Sequence, residues 1–214
     1  MSVTRSRLTF EQFLAQCPDQ RIVEWVGGEA VEHVPPVTRH QQVLGFLHSL
    51  LLAFAQWSGQ GEVIVAPFLM RLSLEGPARE PDILFVARDS LARILPDRLE
   101  GPADLAVEIV SDDSVARDRA EKFYEYQEFG VREYWLIDPR PRRQRADFWV
   151  RNAAGIYTPA ADDAAGVYRS TVLPGFWLRP TWLSAEPLPS SLAAFGEIAG
   201  LPPEVIRAIS RRQP

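Results

Sequence analysis

Three runs constrain the fold of this 214-residue chain more than anything else in it: PDILFVA (81–87), ADLAVEIVS (103–111) and VREYWLIDP (131–139). Each reads as a strand; PDILFVA, continuously apolar and rich in β-formers, is the pattern of a buried strand, and VREYWLIDP is an apolar strand closed by Asp-Pro. Between the second and third lies SDDSVARDRAEKFYEYQEFG, a helical pattern with Ser and Asp at its start and Gly130 as its stop. Strand, helix and strand over about 35 residues is the length of a βαβ unit. The expectation is an α/β fold: a mixed β-sheet core flanked by helices.

The remaining pattern adds elements around that core. A short helix is expected over Thr9 to Gln16, then RIVEWVGGEAVEHV as an N-terminal β-hairpin turning at Gly27-Gly28. From Thr38 to Trp57, Val43, Leu44, Leu47, Leu51 and Phe54 recur at a helical period. Strands are expected over Glu62 to Ala66 and Phe68 to Leu74, followed by a Pro/Gly loop before PDILFVA, with a short helix over Asp89 to Ile94 after it. ADFWVRN reads as an outer strand. Past Gly155 the chain is rich in Pro, Ala and Gly and closes on an amphipathic helix around Pro203 to Arg211. We divide it into a domain over 1–185 and a C-terminal helical extension over 186–214.

Composition excludes several classes. Cys17 is the only cysteine, so neither an internal disulfide nor a cysteine-built zinc site can form. The most apolar stretch, Val43 to Trp57, is too short and too interrupted to span a bilayer, and the start MSVTRSRLTFEQF has no apolar leader core. The expectation is a cytoplasmic protein with no membrane partner. A net charge of −5 argues against non-specific coating of nucleic acid, so any phosphate contact has to be local.

Two acids sit where acids are costly. Asp82 opens PDILFV and Glu108 lies inside DLAVEIV, each among residues that want burial. An ionised side chain there needs a partner, and a hard divalent cation recruits carboxylates from neighbouring strands. The alternatives are that Asp82 ends a loop and Glu108 pairs with a buried Arg. The chain's other anomaly is its cations: of 23 Lys and Arg residues, Lys122 is the only lysine. Arg serves wherever generic positive charge is wanted, whereas Lys supplies a compact ammonium suited to one water or one phosphate oxygen. A surface pair with Asp118, one turn earlier, would also account for it.

The order Pro-Asp, strand-borne acid, Lys resembles the PD-(D/E)XK nuclease superfamily, in most of whose members the Lys follows the second acid by two residues. Here that position is Val110. EPDILFV, PADLAVEIVS, DRAEKFYEYQEFGVREYWLIDP and the earlier RIVEWVGGEAVEH and TRHQQ together resemble the Uma-two family of restriction-endonuclease-like proteins, in which the Lys stands in the following helix. The resemblance covers about residues 10 to 180. It implies a restriction-endonuclease-like core, Mg²⁺ or Mn²⁺ held by Asp82, Glu108 and the carbonyl of Ile109, and Lys122 completing a catalytic set of Asp82, Glu108 and Lys122. The helix starts directly after the Glu108 strand and Lys122 lies about two turns in, so its stem can reach back.

Accessory candidates follow. His40 matches a family His and stands as a phosphate contact, a proton carrier or a helix-terminal His. Of the hairpin acids Glu24 and Glu29, Glu24 is the candidate additional acid, against the reading that both are exposed hairpin charges. Asp118 shares a face with Lys122 and Tyr126 and either orients the ammonium or forms a surface pair. Arg140, Arg142, Arg143 and Arg145, with Arg151, cluster against a single acid, Asp147, as a phosphate-tracking patch or a solvated turn. The expected activity is metal-dependent endonucleolytic hydrolysis of nucleic acid, with DNA as substrate. The alternative is a catalytically silent module that binds nucleic acid or a protein. A homodimer contact through Phe176, Trp177, Trp182 and the last helix is a further expectation.

Overall fold

The computed structural model describes residues 7–16, 23–32, 37–112 and 114–210; Cys17 lies outside the described residues. In chain order the elements are α1 (Phe10–Gln16), β1 (Val23–Val26), β2 (Glu29–Glu32), α2 (Thr38–Ser58), β3 (Gly61–Val65), β4 (Leu69–Arg71), β5 (Ala78–Arg79) and β6 (Ile83–Ala87). After a 3₁₀ segment, Arg88–Arg93, come β7 (Arg98–Glu100), β8 (Leu105–Ile109), a π-helical turn (Arg117–Glu121), α3 (Lys122–Phe129), β9 (Glu133–Asp138) and β10 (Arg145–Arg151). The last are β11 (Tyr157–Pro159), β12 (Tyr168–Arg169), β13 (Trp177–Leu178), α4 (Pro180–Ser184), α5 (Ser191–Ile198) and α6 (Pro203–Ser210).

The three apolar runs become β6, β8 and β9, adjacent in a six-stranded sheet ordered β11-β10-β9-β8-β6-β3. β8 and β9 pair in parallel across the helical crossover, and the other pairings in this sheet are antiparallel, so the sheet is mixed. One face carries Ile83, Phe85, Leu105, Val107, Trp135 and Ile137 against α2, and α5 adds Ala194 to the same cluster. The other face carries Leu84, Val86, Ala106, Tyr134 and Leu136 against Tyr126 of α3. Burial on both sides, at about 1.5–3 kcal/mol per large apolar side chain before chain entropy is subtracted, is what these runs required.

A second, five-stranded sheet ordered β2-β1-β5-β4-β7 was not expected, because β5 and β7 are two and three residues long, β5 in the segment read as a Pro/Gly loop and β7 in one assigned no element. Met70, Leu72 and Leu99 pack it onto the α3 side of the larger sheet, and Phe10 and Phe13 of α1 cover its other face together with Val23, Leu69 and Ala78. The hairpin turns where expected: Gly27 and Gly28 both have positive φ, 57° and 87°, as a two-residue turn matched to strand twist demands.

Several expectations are corrected. The strand placed over Phe68 to Leu74 is only Leu69–Arg71, and the helix placed over Asp89 to Ile94 is a 3₁₀ segment with no buried residue. ADFWVRN is β10, but β11 lies outside it and takes the edge. Phe176 is buried against Phe54 and Trp135, so it is not the surface contact expected of it, while Trp182, partly buried, packs on Phe46 and Trp177. Among the described residues, no helix is long and apolar enough to cross a membrane.

Candidate active site

The antiparallel register of β6 and β8 pairs Ile83 with Val107, so one step outward sets Asp82 opposite Glu108. Asp82 caps the end of that ladder: its Oδ2 accepts the backbone N–H of Ile109 at 2.6 Å, and its Oδ1 lies 3.3 Å from Nε2 of His40 at the start of α2. His40 is itself buried, and its Nδ1 has no hydrogen-bond partner among the described residues.

Glu108 is buried on the α3 side of the sheet. Its Oε1 accepts from Lys122 Nζ at 2.8 Å and from the Tyr126 hydroxyl at 2.6 Å. Lys122 therefore reaches the face from which a side chain at position 110 would emerge. Val110 fills that place as part of the apolar cluster.

The π turn sets the lysine's direction. Lys122 N–H bonds back five residues to the Arg117 carbonyl, which releases the Asp118 carbonyl that an α-helix would have used. Tyr134 of β9 takes up that oxygen, its hydroxyl donating at 2.9 Å.

Lys122 is 3% exposed and surrounded by acids: besides Glu108, Glu24 Oε1 lies at 2.9 Å and Asp118 Oδ1 at 3.8 Å. The reading of Glu24 and Asp118 as surface charges is thereby corrected. Glu24 is fully buried because β1 is covered by α1 and paired to β5, whereas Glu29 is exposed. Asp118 is buried on the π turn, with Oδ1 lacking a hydrogen bond among the described residues.

Burial pushes the Glu108 carboxyl up to about 8; Lys122 pulls it down, and Asp118, Asp82 and Glu24 push it further up. Asp118 is raised for the same first reason. Glu80, half-buried beside Glu24, is pushed up to about 7. Lys122 moves the other way: burial opposes its charge, but Glu108, Glu24 and Asp118 together raise it well above the ordinary ammonium range. It is an ammonium at any working pH.

Acids thus outnumber the cation around Lys122, and their mutual repulsion adds to the burial that raises them. Oxygen donors in such a surplus suit a hard divalent ion, and Asp82 and Glu108 fit one by chemistry. As they stand, no three His, Cys, Asp or Glu among the described residues converge as a ready-made cage.

The arginine patch divides. Arg140 is bidentate on buried Asp138 at 2.8 Å through each nitrogen and also reaches Asp112, while Arg145 is bound to Asp147. Arg142 and Arg143 are exposed, with no ion pair among the described residues. Glu133, buried on β9, shows that a strand-embedded acid alone is not diagnostic. It accepts from Tyr168 Oη, Trp135 Nε1 and Thr171 N and Oγ1 at 2.5–2.8 Å, neutral donors that pin the 168–172 segment to the sheet. The sequence reading missed Arg79. It is 1% exposed and bonded to Glu24 and Glu125, yet from sequence it sits in an apparent loop, where an Arg looks like any solvated charge.

Residues 10–181 match the Uma2 family, described as putative restriction endonuclease. The chain belongs to that family. The Uma2 match spans the hairpin, both sheets and every residue of the site just described. Among solved structures, the chain is similar to one titled as a putative nuclease belonging to DUF820 from Anabaena variabilis ATCC 29413, with a TM-score of 0.65 at 15% identity, covering 83% of this chain and 97% of that one. That likeness, with the mixed sheet and flanking helices, gives this Uma2 chain a restriction-endonuclease-like fold. No curated protein matches it in sequence.

Proposed function

We propose that this chain is a metal-dependent endonuclease that hydrolyses phosphodiester bonds, with DNA as its substrate and Mg²⁺ or Mn²⁺ as its cofactor. The observation that carries the reading is the juxtaposition of Asp82 and Glu108 across β6 and β8 with the Lys122 ammonium on Glu108. Asp82, Glu108 and the Ile109 carbonyl are the groups that would hold the ion; once bound, it lowers the pKa of water and offsets charge at the phosphorus.

The chain's own residues do the rest. Lys122 donates a hydrogen bond to Glu108 Oε1 and is ion-paired with Glu24 Oε1 at 2.9 Å, with Asp118 Oδ1 farther off at 3.8 Å. The ammonium so held is the group that orients the attacking water or a phosphate oxygen. With its pKa raised, Lys122 acts as a fixed positive charge and not as the general base. Tyr126 holds Glu108 and His40 holds Asp82, so both carboxylates are aimed before substrate arrives. Arg142 and Arg143, exposed beside the end of β9, are the backbone-tracking pair.

The second reading, a silent nuclease-fold module, is favoured by one observation: Asp82 and Glu108 already carry protein partners. Cleavage of supercoiled plasmid and of single-stranded and branched oligonucleotides with Mg²⁺ or Mn²⁺, beside EDTA and Lys122→Ala controls, tests the proposal. Nicking that needs metal and Lys122 is the expected result. No cleavage together with no Mn²⁺ binding by calorimetry would leave the silent module.

A further inference from the structure

Among the described residues, the buried Lys and Arg side chains come as a pair. Arg79 on β5 is 1% exposed, and its guanidinium is committed on two sides: Nη1 donates to Glu24 Oε2 at 2.9 Å, while Nε and Nη2 donate to the two oxygens of Glu125 at 2.7 Å each. Glu121 lies 3.7 Å away on the same side. Glu24 is the shared partner. Its Oε2 faces Arg79, and its Oε1 faces Lys122 at 2.9 Å and the Glu80 backbone N–H at 3.2 Å.

A planar fork that fixes one carboxylate oxygen fixes the direction of the other, and a bidentate grip on Glu125 fixes the first turn of α3, the turn that begins with Lys122. As a source of stability such a buried network is unremarkable, since apolar residues of like volume commonly serve as well. What apolar residues could not do is hold an ammonium in one place.

We infer that Arg79 and Glu24 are positioning residues for Lys122: the small sheet, through this pair, sets where the ammonium sits, and Glu24 is not a metal ligand. The inference rests on the nuclease reading for its kinetic consequence but not for its structural one. By the general cost of disturbing groups that orient a reacting one, Arg79→Met lowers kcat about ten- to a hundredfold with KM for an oligonucleotide changed little. Glu24→Gln does the same, and the double variant loses no more than either alone, because both act through one ammonium. Arg79→Lys, which keeps the charge and loses the fork, does not restore kcat.

The single lysine provides a second readout that needs no activity. Lysine-selective ¹⁵N labelling of the untagged full chain gives one side-chain ammonium signal. That signal shifts or broadens in Arg79→Met and Glu24→Gln. Mn²⁺ affinity by calorimetry stays at the wild-type value in both. Should Arg79→Met not fold, Glu125→Gln removes half of the bidentate grip from a partly exposed position and carries the same expectation.

An unmoved lysine signal in folded Arg79→Met, or a wild-type kcat, overturns the inference; a tenfold or greater loss of Mn²⁺ affinity in Glu24→Gln makes Glu24 a ligand and overturns it also. A wild-type protein that cuts nothing would defeat the nuclease reading alone, and the ammonium signal would still decide the positioning.

Discussion

His40 Nε2 lies 3.3 Å from Oδ1 of Asp82, and this contact joins the start of α2 to the end of the β6–β8 ladder. The other oxygen of Asp82 is held by a backbone N–H, so His40 is the side chain that sets the carboxylate's free edge. His40→Ala is expected to lower kcat for plasmid nicking by about ten- to a hundredfold while leaving the free energy of unfolding within about 1 kcal/mol of wild type. Unchanged kcat in the folded variant would remove His40 from the site.

Lys122 is a buried charge with two short carboxylate contacts, so its replacement has two consequences. Lys122→Ala is expected to abolish detectable nicking and also to destabilise the fold by about 3–5 kcal/mol, because Glu108 loses its cation and Glu24 keeps only Arg79. Lys122→Arg is expected to be inactive as well, since a fork cannot occupy a pocket shaped around one nitrogen. Nicking assays beside urea unfolding check both, and full activity in either variant would overturn the assignment of Lys122.

The raised acids give stability a pH slope of definite sign. Glu108, pushed up to about 8, and Glu80, pushed up to about 7, hold protons in the folded chain that the unfolded chain releases near 4.5. Their contribution is full below about pH 4.5 and is lost as pH rises through 7 to 8. Metal-free protein is therefore expected to lose stability between pH 5 and pH 8.5, and Glu108→Gln to flatten that slope. Mn²⁺ at pH 8 is expected to restore stability, because it binds the ionised carboxylates of the folded state. Urea titrations at three pH values with and without Mn²⁺ measure all three effects.

The arginines of the β9–β10 turn are expected to separate by function. The double variant Arg142→Ala/Arg143→Ala is expected to reduce the slope of log affinity against log salt for duplex DNA by about 2, with stability unchanged. Arg140→Ala is expected to cost about 3–5 kcal/mol of stability, since it strips one of the two guanidinium partners from buried Asp138. Equal salt slopes for the double variant and wild type would place the DNA path elsewhere.

Tyr126 donates its buried hydroxyl to Glu108 at 2.6 Å. Tyr126→Phe leaves that oxygen with Lys122 alone and is expected to cost about 1–3 kcal/mol, with kcat lowered more than KM is raised. A variant as stable and as active as wild type would show that Lys122 suffices to orient Glu108.

By itself the sequence determined the parts of this protein that follow from local pattern. A continuous apolar run of β-formers such as PDILFVA asks for a buried strand, and ADLAVEIVS and VREYWLIDP with the helix between them ask for a helix-covered sheet. Gly27-Gly28 had to turn, and acids inside such runs had to find partners. The Uma-two resemblance added which acids and which lysine to watch.

Tertiary structure alone decided which charges are buried together. Glu24 and Arg79 look like solvated hairpin and loop charges because β1 and β5 are short, and their burial depends on α1 and a second sheet assembled from segments distant in sequence. Glu133 and Glu108 carry the same sequence signal, yet one is satisfied by neutral donors from the 168–172 segment and the other faces a lysine among surplus carboxylates. Arg140 and Arg142 are near neighbours in one basic turn, and only the end of β9 makes the first a brace and leaves the second exposed. Hydrophobic period is a property of neighbours along the chain, whereas the partner of a charge is chosen by whatever the fold brings within a few ångströms.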